Sequence, residues 1–215
     1  MIAAFHKLTL TASMLALAAT CHAEPPKDGA KADTKAAEQA PQAADRASPE
    51  TKAKFERLKK MAGAWQSGDE NKDGQADTRV VYRVTSGGHS VIETLMPGLP
   101  HEMVTMYSID GDSIVATHYC AVGNQPRMRT RGGTASNTIA FDFVDCTNMA
   151  SPNDGHMHSL VYTFADEDHA TASWSFWKDG KPGDHETAFK FERIKDPAAA
   201  AKVIESTTGA GTASK

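Results

Sequence analysis

Between Gly155 and Lys178 the chain reads GHMHSLVYTFADEDHATASWSFWK, and no other stretch constrains the fold as tightly. Bulky residues recur at every second position in each half, first Leu160, Tyr162 and Phe164, then Ala172, Trp174 and Phe176. A period of two belongs to a strand with one buried face. The polar run Asp166-Glu167-Asp168-His169 supplies a turn, so the stretch is expected to fold as a β-hairpin. The bulky side of its first half also carries His156 and His158, whose rings are therefore expected to point inward.

The same alternation marks ten candidate strands: 63 to 67, 78 to 86, 89 to 96, 101 to 109, 112 to 120, 127 to 132, 138 to 144, 156 to 165, 170 to 178 and 184 to 193. Gly87-Gly88, Asp110-Gly111, Gly132-Gly133 and Asp179-Gly180 provide hairpin turns between them. Connections this short dictate an antiparallel meander, and about ten strands without covering helices bury their edges by closing into a barrel. One short helix precedes the strands. Ser48 is its N-cap and Pro49 its first residue, Phe55, Leu58 and Met61 share a face, and Gly63 ends it.

The ends read differently. Residues 1–23 join Lys7 to the apolar run from Leu8 to Ala19 and close on Cys21-His22-Ala23, the pattern of a secretory signal peptide cleaved after Ala23. That run is too short to span a bilayer, no later segment approaches the needed length, and no transmembrane segment is expected. The protein is expected to be periplasmic or secreted, with lipidation at Cys21 as the alternative. Residues 24–47, rich in Ala, Pro and Lys and free of aromatics, form a disordered leader, because such a composition buries too little surface to offset ordering entropy. The barrel is assigned to 48–196 and an Ala-rich flexible tail to 197–215. A net charge of −4 without any basic stripe leaves no footprint for nucleic acid, and nothing identifies a protein partner.

Gly63-Ala64-Trp65 at the first strand and Arg193 at the end of the last resemble the calycin (lipocalin-like) superfamily, in which such a Trp plugs the closed end of the barrel and such an Arg packs across it. HEMVTMYSIDGD, THYCAVGNQPRM, the Asp145-Cys146-Thr147-Asn148 turn and GHMHSLVYTF resemble exported bacterial lipocalin-like proteins of unassigned function. The resemblance covers about residues 55 to 195, and Cys146 departs from the pattern. It implies an all-β, about ten-stranded lipocalin-like barrel.

Alternation of strand direction gathers polar groups at one rim, opposite Trp65 and Arg193. His101 begins a strand there, His118 and Cys120 end one, and His156, His158 and His185 begin two more. Parity places His101 with Met103, Thr105 and Tyr107, and His185 with Phe189 and Phe191, both facing in; the strand of His118 reads either way, since Tyr119 could be the inward residue.

Three readings follow, the last a structural envelope protein whose leader is a spacer and whose barrel takes no ligand, which a filled lumen would favour. The first is an exported barrel for a small apolar or amphipathic ligand, bound by His101, Met103, His118, Tyr162, Trp174 and His185 over an apolar floor. The second is a zinc or copper centre of His118, Cys120, His156 and His158, which as an enzyme would activate water while Glu93 or a free His moves the proton; haem on a single inward His is its variant. Asp69 to Gly74 with Asp77 has calcium-loop spacing but places Val80 where a bidentate Glu belongs, so a hairpin turn is expected. Arg127, Arg129 and Arg131 are expected on the solvated face. Whether Cys120 and Cys146 pair is left open by the sequence.

Overall fold

The computed structural model describes residues 46–68, 77–183 and 187–208. The expected signal peptide, all but the last two residues of the expected leader, most of the calcium-like loop, and His185 lie outside the described residues; of the two leader residues described, Ala47 is buried. Helix α1 (Pro49–Lys59) starts where its cap requires: Ser48 Oγ accepts the Thr51 amide at 3.2 Å, and Pro49 occupies the first turn. The Ser48 amide in turn donates to Asp112 Oδ1 at 2.7 Å, which ties the helix start to the tip of a hairpin. Removing the cap hydroxyl, Ser48→Ala, should lower stability by about 1 kcal/mol in urea unfolding.

The strands follow as β1 (Gly63–Ser67), β2 (Thr78–Thr85), β3 (Ser90–Leu95), β4 (Met103–Asp110), β5 (Ser113–Tyr119), β6 (Gln125–Thr130), β7 (Thr138–Thr147), β8 (His156–Phe164), β9 (His169–Lys178), β10 (Lys181–Pro182) and β11 (Thr187–Arg193). Each pairs antiparallel with its neighbour from β1 to β9; β9 then pairs with β11 and β11 with β1. Ten strands therefore close into a barrel, and β10 is a two-residue addition beside β9. Closure satisfies the ladder on both sides of every wall strand.

One end is sealed by α1. Phe55, Leu58 and Met61 are buried, and the fully buried Trp65 donates its indole N–H to the Met61 carbonyl at 2.7 Å. The Arg193 guanidinium lies 4.2 Å from the Trp65 ring and bonds the carbonyls of Ala62 and Lys60 at 2.9 and 2.7 Å. Asp168 holds its Nε at 3.1 Å. The Trp and the Arg thus close one end together.

Two features depart from the sequence reading. The segment from Pro197 to Ser206 is a helix, α2, capped by Asp196 accepting from the Ala199 amide at 2.6 Å, where a flexible tail was expected. It is held by Val203, which is buried against Ala64 and Val81 on the outer side of β1 and β2. Most of the barrel interior is also filled rather than open, because Tyr82, Tyr107, Phe141, Leu160 and Tyr162 interlock across it. Among the described residues no helix is long and apolar enough to cross a membrane.

Candidate functional site

Strand register builds a polar row through this interior. Tyr82 on β2 is the pairing partner of Glu93 on β3, Glu93 of Thr105 on β4, and Thr105 of His118 on β5. Paired residues project to the same side of a sheet, so four polar side chains lie abreast across four adjacent strands. All four are buried. Tyr82 bonds Glu93 Oε1 at 3.3 Å, Tyr107 bonds Glu93 Oε2, and Tyr162 reaches from β8 to the hydroxyls of Tyr82 and Tyr107 at 2.9 and 3.0 Å. Thr105 Oγ1 lies 2.9 Å from His118 Nδ1, a hydrogen bond.

Burial sets the charge in this row. Desolvation raises the Glu93 carboxyl above its ordinary range, while the hydroxyls of Tyr107, Thr105, Tyr162 and Tyr82 pull it back down by stabilising the charged form. The three tyrosines are held well above their usual pKa, first by burial and next by the Glu93 charge. Burial alone pushes His118 down to about 4, so its ring is neutral at pH 7.

His118 ends the row at a cavity of about 160 Å³ lined by Leu95, Met96, Met103, His118, Met157, Trp174, Thr187 and Phe189. The Trp174 ring lies 4.7 Å from that of His118. Met96 is held at φ 56°, a left-handed conformation uncommon for a long side chain, by a turn whose amide bonds the Arg79 carbonyl at 2.8 Å. His118 Nε2 is buried and has no hydrogen-bond partner among the described residues. The cavity walls are thioethers, aliphatics, rings and the Thr187 side chain.

Of the sequence-nominated binding residues, Met103, His118 and Trp174 line this cavity. The ambiguity in β5 is resolved by burial: Ile114, Ala116 and His118 face in, and Tyr119 is 53% exposed. Tyr162 belongs to the hydroxyl cluster rather than the cavity wall. His101 does not begin a strand; β4 starts at Met103, and His101 sits exposed in the preceding turn.

The four nominated metal ligands are not brought together. His118 is occupied with Thr105 and Trp174, whereas His156 Nε2 meets His158 Nδ1 at 3.0 Å and His156 Nδ1 donates to the Asp154 carbonyl at 2.9 Å. A register shift between Met157 and Ser159 interrupts the alternation in β8, so Met157 lines the cavity while His158 stacks between Trp177, at 3.8 Å, and Phe143, at 4.7 Å. Cys120 lies beyond the end of β5, half-buried, and both it and Cys146 are free thiols. Among the described residues no group of three or more His, Cys, Asp or Glu converges on a metal position. Glu93 is saturated by hydroxyls and does not line the cavity, so it is not placed to serve as a base there.

Arg127, Arg129 and Arg131 face outward, paired with Asp145, Asp110 and Asp142. Sequence reasoning named Glu93 for the wrong task and missed Thr105, Tyr82 and Tyr107. Their inward parity could be read from alternation; their alignment in one row depends on register.

No family model and no curated protein matches the chain. Among solved structures, the chain is similar to the crystal structure of Rv2717c from M. tuberculosis, at 14% identity and a TM-score of 0.44, over 69% of this chain and 99% of that one.

Proposed function

We propose that this protein is an exported binding barrel that holds one small, predominantly apolar molecule, about the size of a single aromatic ring, in the cavity beside His118. The observation that carries the reading is an apolar cavity whose wall includes His118, a ring with a buried Nε2 that has no hydrogen-bond partner among the described residues. Buried polar groups are almost always satisfied, and an exception of this kind points to a guest that supplies the missing contact. The volume favours a compact guest. Pockets for drug-sized molecules run from about 300 Å³ upward, whereas a cavity of about 150 Å³ accepts benzene. Haem does not fit a space of about 160 Å³ without displacing its methionine and phenylalanine walls, and a four-ligand zinc or copper centre lacks converging donors among the described residues. Export rests on the charged, apolar and small-residue pattern of residues 1–23.

Calorimetric titration with toluene tests the reading. Toluene should bind with one-to-one stoichiometry, and at a free concentration 100 times its Kd it should stabilise the fold by about 2.7 kcal/mol. Thr187, which lines the cavity yet is exposed to solvent, is the place to plug it: Thr187→Trp should abolish the binding heat while leaving the fold intact. Toluene binding of equal strength in that variant would overturn the assignment of the cavity.

A further inference from the structure

We infer that the cavity also takes a soft monovalent metal ion, Cu⁺ or its analogue Ag⁺, held by the thioethers of Met96, Met103 and Met157. The inference rests on the cavity of the reading above, not on the apolar guest assigned to it. Three of the eight described residues that line this space are methionines. Each is half-buried and packs against the core. Two of the three come from irregular backbone. Met96 follows directly on β3 with φ 56°, and its amide donates to the Arg79 carbonyl at 2.8 Å. Among the described residues the other non-glycine positions of this kind are Ser86, Asn148 and Asp179, all with short polar side chains, so a long apolar one is the exception. Met157 precedes the register shift in β8, and unbroken alternation from the buried Leu160 would turn it to the outer face. Met103, opposite Leu95 in the β3–β4 ladder, arrives on a regular strand.

Both departures cost free energy, and a chamber that needed only bulk could be filled by leucine on unbroken strands. Each instead delivers a sulfur-bearing side chain to the same space. Thioethers are soft, uncharged donors, a class that selects Cu(I) among biological metals. With three rotatable bonds each, the side chains can turn their sulfurs into a space of about 160 Å³. Trp174 in the same wall adds a ring, and aromatic rings attract cations. No acid is among the described lining residues, so the donor set carries no negative charge. An apolar chamber with neutral donors takes the ion of lowest charge and excludes Zn²⁺, whose desolvation costs far more.

Silver is the probe, because it needs no reductant. Thiols would compete for it, so the titrations use the full-length chain carrying Cys21→Ser, Cys120→Ser and Cys146→Ser. Ag⁺ should bind this protein one-to-one by calorimetry. It should also move the ¹³C-methyl signals of Met96, Met103 and Met157 but not those of Met61 and Met128, which are buried in the core away from the cavity wall. Zn²⁺ should leave the three signals in place. Met103→Leu and Met157→Leu conserve volume, so each should keep toluene binding while weakening silver by about 100-fold, the upper end of the loss that follows removal of a ligand's outer-shell partner. The two variants are independent, so either decides the matter if the other folds poorly. Undiminished silver binding in a folded variant, silver binding that leaves the three methyl signals unmoved, or Zn²⁺ moving them as Ag⁺ does would overturn the inference. Toluene binding without silver binding overturns it too and leaves the cavity reading standing. Silver binding without toluene binding does the reverse, and if neither binds both fall.

Discussion

Replacing Trp65 by alanine should lower stability by about 3–5 kcal/mol, the largest effect expected of any single truncation in this barrel. The side chain is fully buried between Met61, Tyr82 and Arg193, and its removal leaves a hole that the closed wall cannot collapse to fill. Two further contacts go with it. The Met61 carbonyl loses the indole N–H at 2.7 Å, and the Arg193 guanidinium loses the ring beneath it. Arg193 would keep its bonds to the carbonyls of Ala62 and Lys60, so the floor should loosen rather than open. Chemical unfolding of Trp65→Ala and Trp65→Phe separates volume from hydrogen bonding: the phenylalanine variant should retain more than half of the lost stability. Equal losses in the two variants would show that the indole N–H, not the filled volume, dominates.

Acidification from pH 7 to pH 4 should remove roughly 3 kcal/mol of stability through His118 alone. Its folded pKa is about 4 against an ordinary 6.5. Between these values the unfolded chain carries a proton on this ring that the folded chain excludes, so stability is full above about pH 7 and declines as pH falls toward 4. Other groups move in the same direction. Asp112 and Asp166, which are exposed, and Asp145 and Asp168, which are half-buried, are held below their ordinary pKa by hydrogen bonds and neighbouring cations, and they too lose stabilisation in acid. Comparing urea unfolding of the protein with that of His118→Gln, from pH 7.5 to 4.5, cancels these shared contributions. The difference between the two curves should shrink steadily as pH falls from about 6.5. A pH-independent difference would mean that His118 titrates in the folded protein as it does in the unfolded chain.

The two predictions bear on different ends of the barrel, and the contrast explains its construction. At the floor, apolar bulk and a capped helix fill the space, and the interactions are packing and cation on ring. Toward the cavity, a row of hydroxyls and one carboxylate ends on an imidazole whose outer nitrogen is unsatisfied. A row of polar residues buried in this way costs free energy unless its members satisfy one another, and here the hydrogen bonds run from the tyrosines to Glu93 and between Thr105 and His118 in the cavity wall.

Much of the architecture was legible in the sequence because its cause is local. Alternation at Leu160, Tyr162 and Phe164 and at Ala172 and Trp174 specified strands with one buried face, and the Gly-containing turns specified antiparallel neighbours. Strand β1 runs over the very residues expected from Gly63-Ala64-Trp65, and α1 starts at its Ser48-Pro49 cap. Even the burial of His118 was one of two parities open to β5. What alternation could not supply is the register between strands and the single-residue shift near Met157 that sets His158 among Phe143 and Trp177, away from His118. Nor does an Ala-rich segment announce that Val203 will find a seat against Ala64 and Val81 and fold α2 around it.

By itself, then, the chain's periodicity determined strands, turns and direction, since each depends on residues two to ten positions apart, whereas closure joins Trp65 to Arg193 across the length of the barrel sequence. Only the tertiary structure decided that the lumen is mostly filled and that Tyr82, Glu93, Thr105 and His118 stand side by side. The physical reason is that a wall of ten strands adjusts every register at once to satisfy its hydrogen bonds and fill its interior, and that joint optimum is written in no single segment.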